Sequence, residues 1–135
     1  MKLYATRLHE GEDLKQAIEA FVGANQLSSA TIISAVGSLS KARMRMAGAQ
    51  PQAQDIRDYD LGYEIVSLIG NLGSDRTHLH MAISDADGKV WGGHLKEGTI
   101  VHTTVELVIA SDPTLHFSEA VDAATGFGEL QITEV

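Results

Sequence analysis

Thr77-His78-Leu79-His80-Met81-Ala82-Ile83-Ser84-Asp85-Ala86-Asp87-Gly88-Lys89-Val90-Trp91-Gly92-Gly93-His94-Leu95 is the stretch on which the reading of the fold turns. Side chains two apart on a strand share one face, ~6.6–6.8 Å along the axis. His78 and His80 therefore fall on one face, and Leu79, Met81 and Ile83 on the other. Asp85-Ala86-Asp87-Gly88 is a hairpin signal, and the loop length sets the register. With a three-residue loop Ala86-Asp87-Gly88, Gly88 takes the left-handed bulge position. Asp85 then pairs with Lys89, Ile83 faces Trp91, Leu79 faces Leu95, and His80 lies opposite His94. A two-residue Asp87-Gly88 loop would drop His94 among the apolar side chains. Side-chain pattern fixes register where one face is buried, so the three-residue loop is predicted.

Strand signals dominate on either side of this ribbon. Lys2 to His9 alternates polar and apolar. Ala30–Val36, Ala42–Met46, Tyr63–Gly70, Thr99–Ala110, Leu115–Phe117 and Glu129–Thr133 read as further strands, set apart by Gly, Asp or Ser-Asp-Pro. Gly37-Ser38 and Gly70-Asn71-Leu72-Gly73-Ser74 read as breaks. Ala47 to Asp60 is polar and reads as a mobile loop. One amphipathic helix is predicted from Asp13 to about Asn25, with Leu14, Ala17, Ile18, Phe21 and Val22 on its apolar face and Asp13 as its cap. A single helix among many strands is no βαβ series. The expected class is α+β: a mainly antiparallel sheet with one principal helix packed on it, in one domain over residues 1–135. Tyr63–Gly70 and Val101–Ala110 are so apolar that both faces need cover. One helix cannot supply both covers; a subunit interface could.

Composition narrows the function. The chain has 135 residues, 44% hydrophobic and 21% charged, within the ordinary globular range. It has no cysteine, which excludes disulfides, thiolate metal sites and cysteine nucleophiles. The formal charge of −8 opposes a polyanionic partner, nucleic acid or anionic membrane alike. Lys41-Ala42-Arg43-Met44-Arg45 is the longest basic cluster. No segment approaches the ~20 apolar residues of a membrane helix, and the N-terminus has no signal-like run. The expected location is cytoplasmic.

Three imidazoles gathered on one face of a ribbon could share a cation at ~2.0–2.1 Å per nitrogen. Imidazole without thiolate suits zinc first, with nickel, copper and iron not excluded. Three histidines and an open fourth position is also the layout in which zinc lowers the pKa of a bound water. The other reading is a solvated polar face on which His78, His80 and His94 bind nothing. His9, His102 and His116 lack partners at useful spacing and read as surface or locally satisfied residues. Glu64 and Glu106 interrupt apolar strands. Each faces solvent, pairs with Arg43 or Arg45, or orients a ligating histidine from behind. No nucleophile elbow, Walker loop or His-Glu-x-x-His is present.

These motifs in order resemble the plants and prokaryotes conserved (PPC) domain. The resemblance runs through Arg7, Gly11-Glu12, Ala35-Val36-Gly37-Ser38, Tyr63-Glu64-Ile65, His78-Leu79-His80, Gly92-Gly93-His94-Leu95 and Thr103-Thr104-Val105-Glu106. It implies an antiparallel α+β fold assembled as a homotrimer. It also implies a histidine cluster, zinc-bound in some members, that maps onto His78, His80 and His94. Plant members bind DNA through AT-hooks, and prokaryotic members are often called DNA-binding. This chain has no Arg-Gly-Arg-Pro hook or basic extension, so direct DNA binding is not expected. The functions left open are a metal-binding trimeric module, a zinc-dependent hydrolase or lyase, and a DNA-associated regulator.

Overall fold

The computed structural model describes all residues, Met1–Val135. Its elements run β1 (Lys2–His9), α1 (Leu14–Ala24), β2 (Ser29–Arg45), β3 (Ile56–Tyr59), β4 (Tyr63–Gly73), β5 (Thr77–Ser84), β6 (Val90–Leu95), β7 (Ile100–Ser111), β8 (Leu115–Val121) and β9 (Gly128–Glu134). The α+β class read from the sequence is the one found.

Asp13 caps α1, its carboxylate accepting the Gln16 N–H at 3.1 Å. The other carboxylate oxygen accepts the Gly98 N–H at 2.7 Å, which ties the helix start to the turn before β7. Leu14, Ile18 and Val22 point from the helix into a single apolar cluster of 21 buried residues. That cluster takes Leu79, Met81 and Ile83 from β5 and Val101, Val105, Leu107 and Ile109 from β7.

All pairings in the main sheet are antiparallel, in the order β1-β7-β2-β4-β5-β6. β2 is one long strand where two were expected. It crosses Gly37-Ser38 on bulges instead of turning. A Cβ on Gly37 would collide with the Thr104 carbonyl, so glycine here serves close strand approach. β4 likewise continues through the expected break to Gly73, paired with β5 as far as Leu72 and Thr77. The polar segment after β2 is not all loop, because β3 returns to pair with Ala42–Arg45. β8 and β9 form a separate hairpin. It is anchored by Phe117 N–H to the Ser28 carbonyl at 2.8 Å and Ser74 N–H to the Phe117 carbonyl at 3.2 Å.

The end of β2 also reaches β6, with Met44 paired to Leu95 and Arg45 to His94. The strands β2, β4, β5 and β6 therefore close a circuit. Closure demands a small residue where β6 meets β2. A Cβ on Gly93 would stand 2.7 Å from the Arg45 carbonyl oxygen and 3.0 Å from Met44 Cβ. Gly93→Ala should push β6 off β2 and destabilise the chain by about 1–3 kcal/mol, the usual cost of overpacking. Urea unfolding checks this, and an unchanged midpoint would contradict the close packing.

Candidate metal centre

The β5–β6 register is the one expected from the three-residue loop. His80 pairs with His94, Ala82 with Gly92 and Ile83 with Trp91. Leu79, Met81, Ile83 and Leu95 are buried in the core, so the parity of the strands sends the histidines to the opposite face. Across that face stand Ile69, His80, His94 and Arg45 in register, from β4, β5, β6 and β2.

The three rings do converge. Their centroids lie 4.9 Å (His78–His80), 5.2 Å (His78–His94) and 5.5 Å (His80–His94) apart. One nitrogen from each falls within 4.8 Å of the others. His78 Nε2 and His80 Nε2 are 3.1 Å apart. A tetrahedral ion with 2.0–2.1 Å bonds needs an edge of roughly 3.3–3.4 Å. The closest pair is already near that edge, and the widest gap exceeds it by at most about 1.4 Å, within reach of ring rotation.

The electrostatics suit a cation ligand. Burial lowers the pKa of His78, and the neighbouring His80 and Arg76 lower it further. Burial, then Arg45 and Lys96, lowers that of His94 to about 3. Both rings are therefore neutral at pH 7, as a ligating imidazole must be. Three imidazole donors without thiolate fit a zinc-class ion.

The polar neighbours of the rings are arginines. Arg76 Nη2 lies 2.9 Å from His78 Nδ1, and Arg45 Nη2 lies 3.4 Å from His94 Nδ1. The Arg76 side chain is only 4% exposed; its Nε donates to Asn71 Oδ1 at 3.0 Å and its Nη1 to Glu119 Oε1 at 3.4 Å. Two cavities flank the cluster. One of about 470 Å³ is bordered by Met46, Ser67, Ile69, His80 and His94. The other, about 330 Å³, is lined by Arg45, Arg76, His78 and His94 together with Glu119 and Glu129.

Glu64 and Glu106 are not brought to the cluster. Both side chains are exposed. Glu64 lies between Ser38 and Ser84, five positions or about 16 Å along β4 from the neighbour of His80. Glu106 is on β7, which borders neither β5 nor β6. Arg43 faces Asp58 instead, at 3.8 Å. His102 and His116 are locally satisfied, by Glu10 at 2.7 Å and Ser74 at 3.4 Å.

Sequence reading missed Arg76, Glu119 and Glu129. Arg76 had a signal, because it precedes His78 by two positions and so shares its face. The two glutamates had none, because they arrive on the β8–β9 hairpin.

Residues 1–113 match the Plants and Prokaryotes Conserved (PCC) domain. The chain belongs to this family. The family span contains every histidine and arginine of the centre and ends before the β8–β9 hairpin that carries Glu119, Phe127 and Glu129. A hypothetical protein from Salmonella enterica shares the fold with a TM-score of 0.92 and 38% identity, covering 98% of this chain and 94% of its own. A metal-containing protein from Archaeoglobus fulgidus has a TM-score of 0.81 at 25% identity, covering 97% and 94%. A bifunctional protein GlmU from Synechococcus sp. (strain JA-3-3Ab) is 42% identical over 137 residues and covers 100% of this chain. The chain spans only 21% of that relative's length.

In the folded chain the His94 ring stays neutral to about pH 3, whereas unfolded histidine protonates near 6.5. The unfolded state thus binds more protons between these values. Stability should be complete above pH 6.5 and fall as pH drops from there towards 3. Partial exposure of the ring narrows this window and lessens the total loss. Thermal unfolding across this range should show Tm falling with acidification, and His94→Gln should flatten the slope. An identical slope in both proteins would contradict a buried, neutral His94.

Proposed function

We propose that this PCC-family chain is a metal-binding module of the cytoplasm, that His78, His80 and His94 hold a zinc-type divalent ion, and that the chain assembles as a homotrimer. The observation that carries the reading is the set of three imidazoles that bring one nitrogen each to within 4.8 Å of the others, two of the rings kept neutral by their surroundings. The Archaeoglobus fulgidus neighbour, a metal-containing protein of the same fold, supports it. Such an ion would supply Lewis acidity at one open position.

Trimer assembly is supported by an exposed apolar patch on the same face. Ile33, Val36, Val66 and Ile69 are 57%, 59%, 56% and 61% exposed. Thr31 pairs with Asn71 and Ser38 with Glu64, so Ile33 and Val36 on β2 and Val66 and Ile69 on β4 all fall between these two pairings. Neighbouring copies of the chain would give this patch its cover and would enclose the histidines beside it. Light scattering should give three times the 14.4 kDa chain mass, with Ile69→Asp lowering it. A wild-type monomer would contradict this reading.

A zinc-dependent hydrolase or lyase is the second reading. It is favoured by Glu119 and Glu129, carboxylates lining the cavity beside His78 and His94, where one could hold a proton during reaction. Direct DNA binding is opposed by the charge of −8. The one basic cluster is also divided, since Asp58 lies within 4.0 Å of Lys41 and Arg43 while Arg45 faces His94. No helix is long and apolar enough to cross a membrane.

Untagged protein should retain about one zinc per chain on elemental analysis, and His78→Ala/His80→Ala should lose it while staying folded. Equal zinc in both would remove these histidines as ligands. Mixed duplex DNA at moderate salt should not shift on a gel; salt-sensitive micromolar binding would reverse the charge argument.

A further inference from the structure

A neutral imidazole has one lone pair, and arginine is an obligate donor. Arg76 Nη2, 2.9 Å from His78 Nδ1, therefore occupies the lone pair of that ring. The ring proton then lies on Nε2 and points to His80 Nε2 at 3.1 Å. Arg45 Nη2 stands in the same relation to His94 Nδ1, at the longer distance of 3.4 Å. A cation entering the cluster must take lone pairs that two guanidiniums now hold. If Nδ1 ligates, the arginine is displaced directly. If Nε2 ligates, the ring proton moves to Nδ1 and confronts a donor. Either route turns both arginines away from the rings.

Each arginine then needs another acceptor. Arg76 retains Asn71 and Glu119. Arg45 has no carboxylate within ion-pair distance, and its Nε is buried without a partner. The Phe127 ring lies 5.5 Å from its guanidinium carbon and offers no oxygen. Both arginines line the cavity of about 330 Å³ that also opens on His78 and His94. A guanidinium presents parallel N–H groups that match the paired oxygens of a carboxylate or phosphate.

We propose that this cavity is an oxyanion site, and that a small carboxylate or phosphate held by Arg45 and Arg76 frees the histidines for metal, so that anion and metal bind cooperatively. The proposal rests on the metal reading above. Glu119 and Glu129 in the lining of the same cavity oppose an anion while the cluster is uncharged. A divalent cation reverses that balance. Linkage makes the effect reciprocal, each ligand raising the affinity of the other by the same factor.

The test is a Co²⁺ titration of untagged protein, read by visible absorption and calorimetry. It is run at one ionic strength in chloride, acetate or inorganic phosphate. Acetate or phosphate should raise Co²⁺ affinity about tenfold over chloride, the scale of one lost hydrogen bond to a charged group. A response to acetate alone marks carboxylates as the ligand class, and to phosphate alone, phosphates. Arg45→Met should bind Co²⁺ about tenfold more tightly than wild type in chloride and ignore acetate and phosphate. Arg76→Met, with the same expected behaviour, serves if the first variant does not fold. Wild-type protein that binds Co²⁺ equally in all three salts would overturn the oxyanion site and leave the metal reading standing. No Co²⁺ binding in any salt, by wild type or variants, would overturn both.

Discussion

Asp85 Oδ1 accepts the backbone N–H groups of Asp87 and Lys89 at 2.9 and 3.0 Å. The Asp85 carbonyl accepts from Gly88 at 3.0 Å, and Gly88 adopts a φ of +77°, which a side chain would resist. These bonds hold the reversal to three residues and so decide which side chain of β6 meets which of β5. Slipping the pairing by one residue would turn every side chain of the ribbon to its other face. His94 would enter the core and Leu95 would leave it. The apolar cluster and the histidine cluster are thus two faces of one register.

The return of β2 to β6 builds on that register. Arg45 pairs with His94 because β6 already presents that ring outward, and Gly93 permits the approach. The consequence is electrostatic. Burial first, and then the fixed positive charge beside the ring, keeps His94 unprotonated, which leaves a nitrogen lone pair on it at neutral pH. Arg76 and Arg45 also stand against a nitrogen of His78 and His94 respectively. On the proposed metal reading, the centre is prepared for a cation and also guarded against one.

Local pattern carried much of this into the sequence. Alternation in Thr77–Ser84 and Lys89–Leu95, with one turn motif between, was enough to place His80 opposite His94. The period of Leu14, Ile18 and Val22 was enough for the helix. What stayed hidden has long-range causes. Gly37-Ser38 reads as a break, but β4 and β7 hold β2 through it by pairing on both sides. Glu64 and Glu106 looked like partners for the rings, yet strand order and distance keep both away. Glu119 meets Arg76 across 43 positions of sequence, through a hairpin anchored beside the start of β2 and the end of β4, and no local spacing encodes that contact.

The central claim is that three particular imidazoles, and no others, share one ion. Long-range ¹H–¹⁵N spectra of histidine-labelled protein, recorded as Zn²⁺ is added, address it directly. The ring nitrogens of His78, His80 and His94 should move together and saturate at one equivalent, while those of His9, His102 and His116 stay in place. If the first three keep their positions at one equivalent, or drift independently only under large excess, the rings do not form a common site.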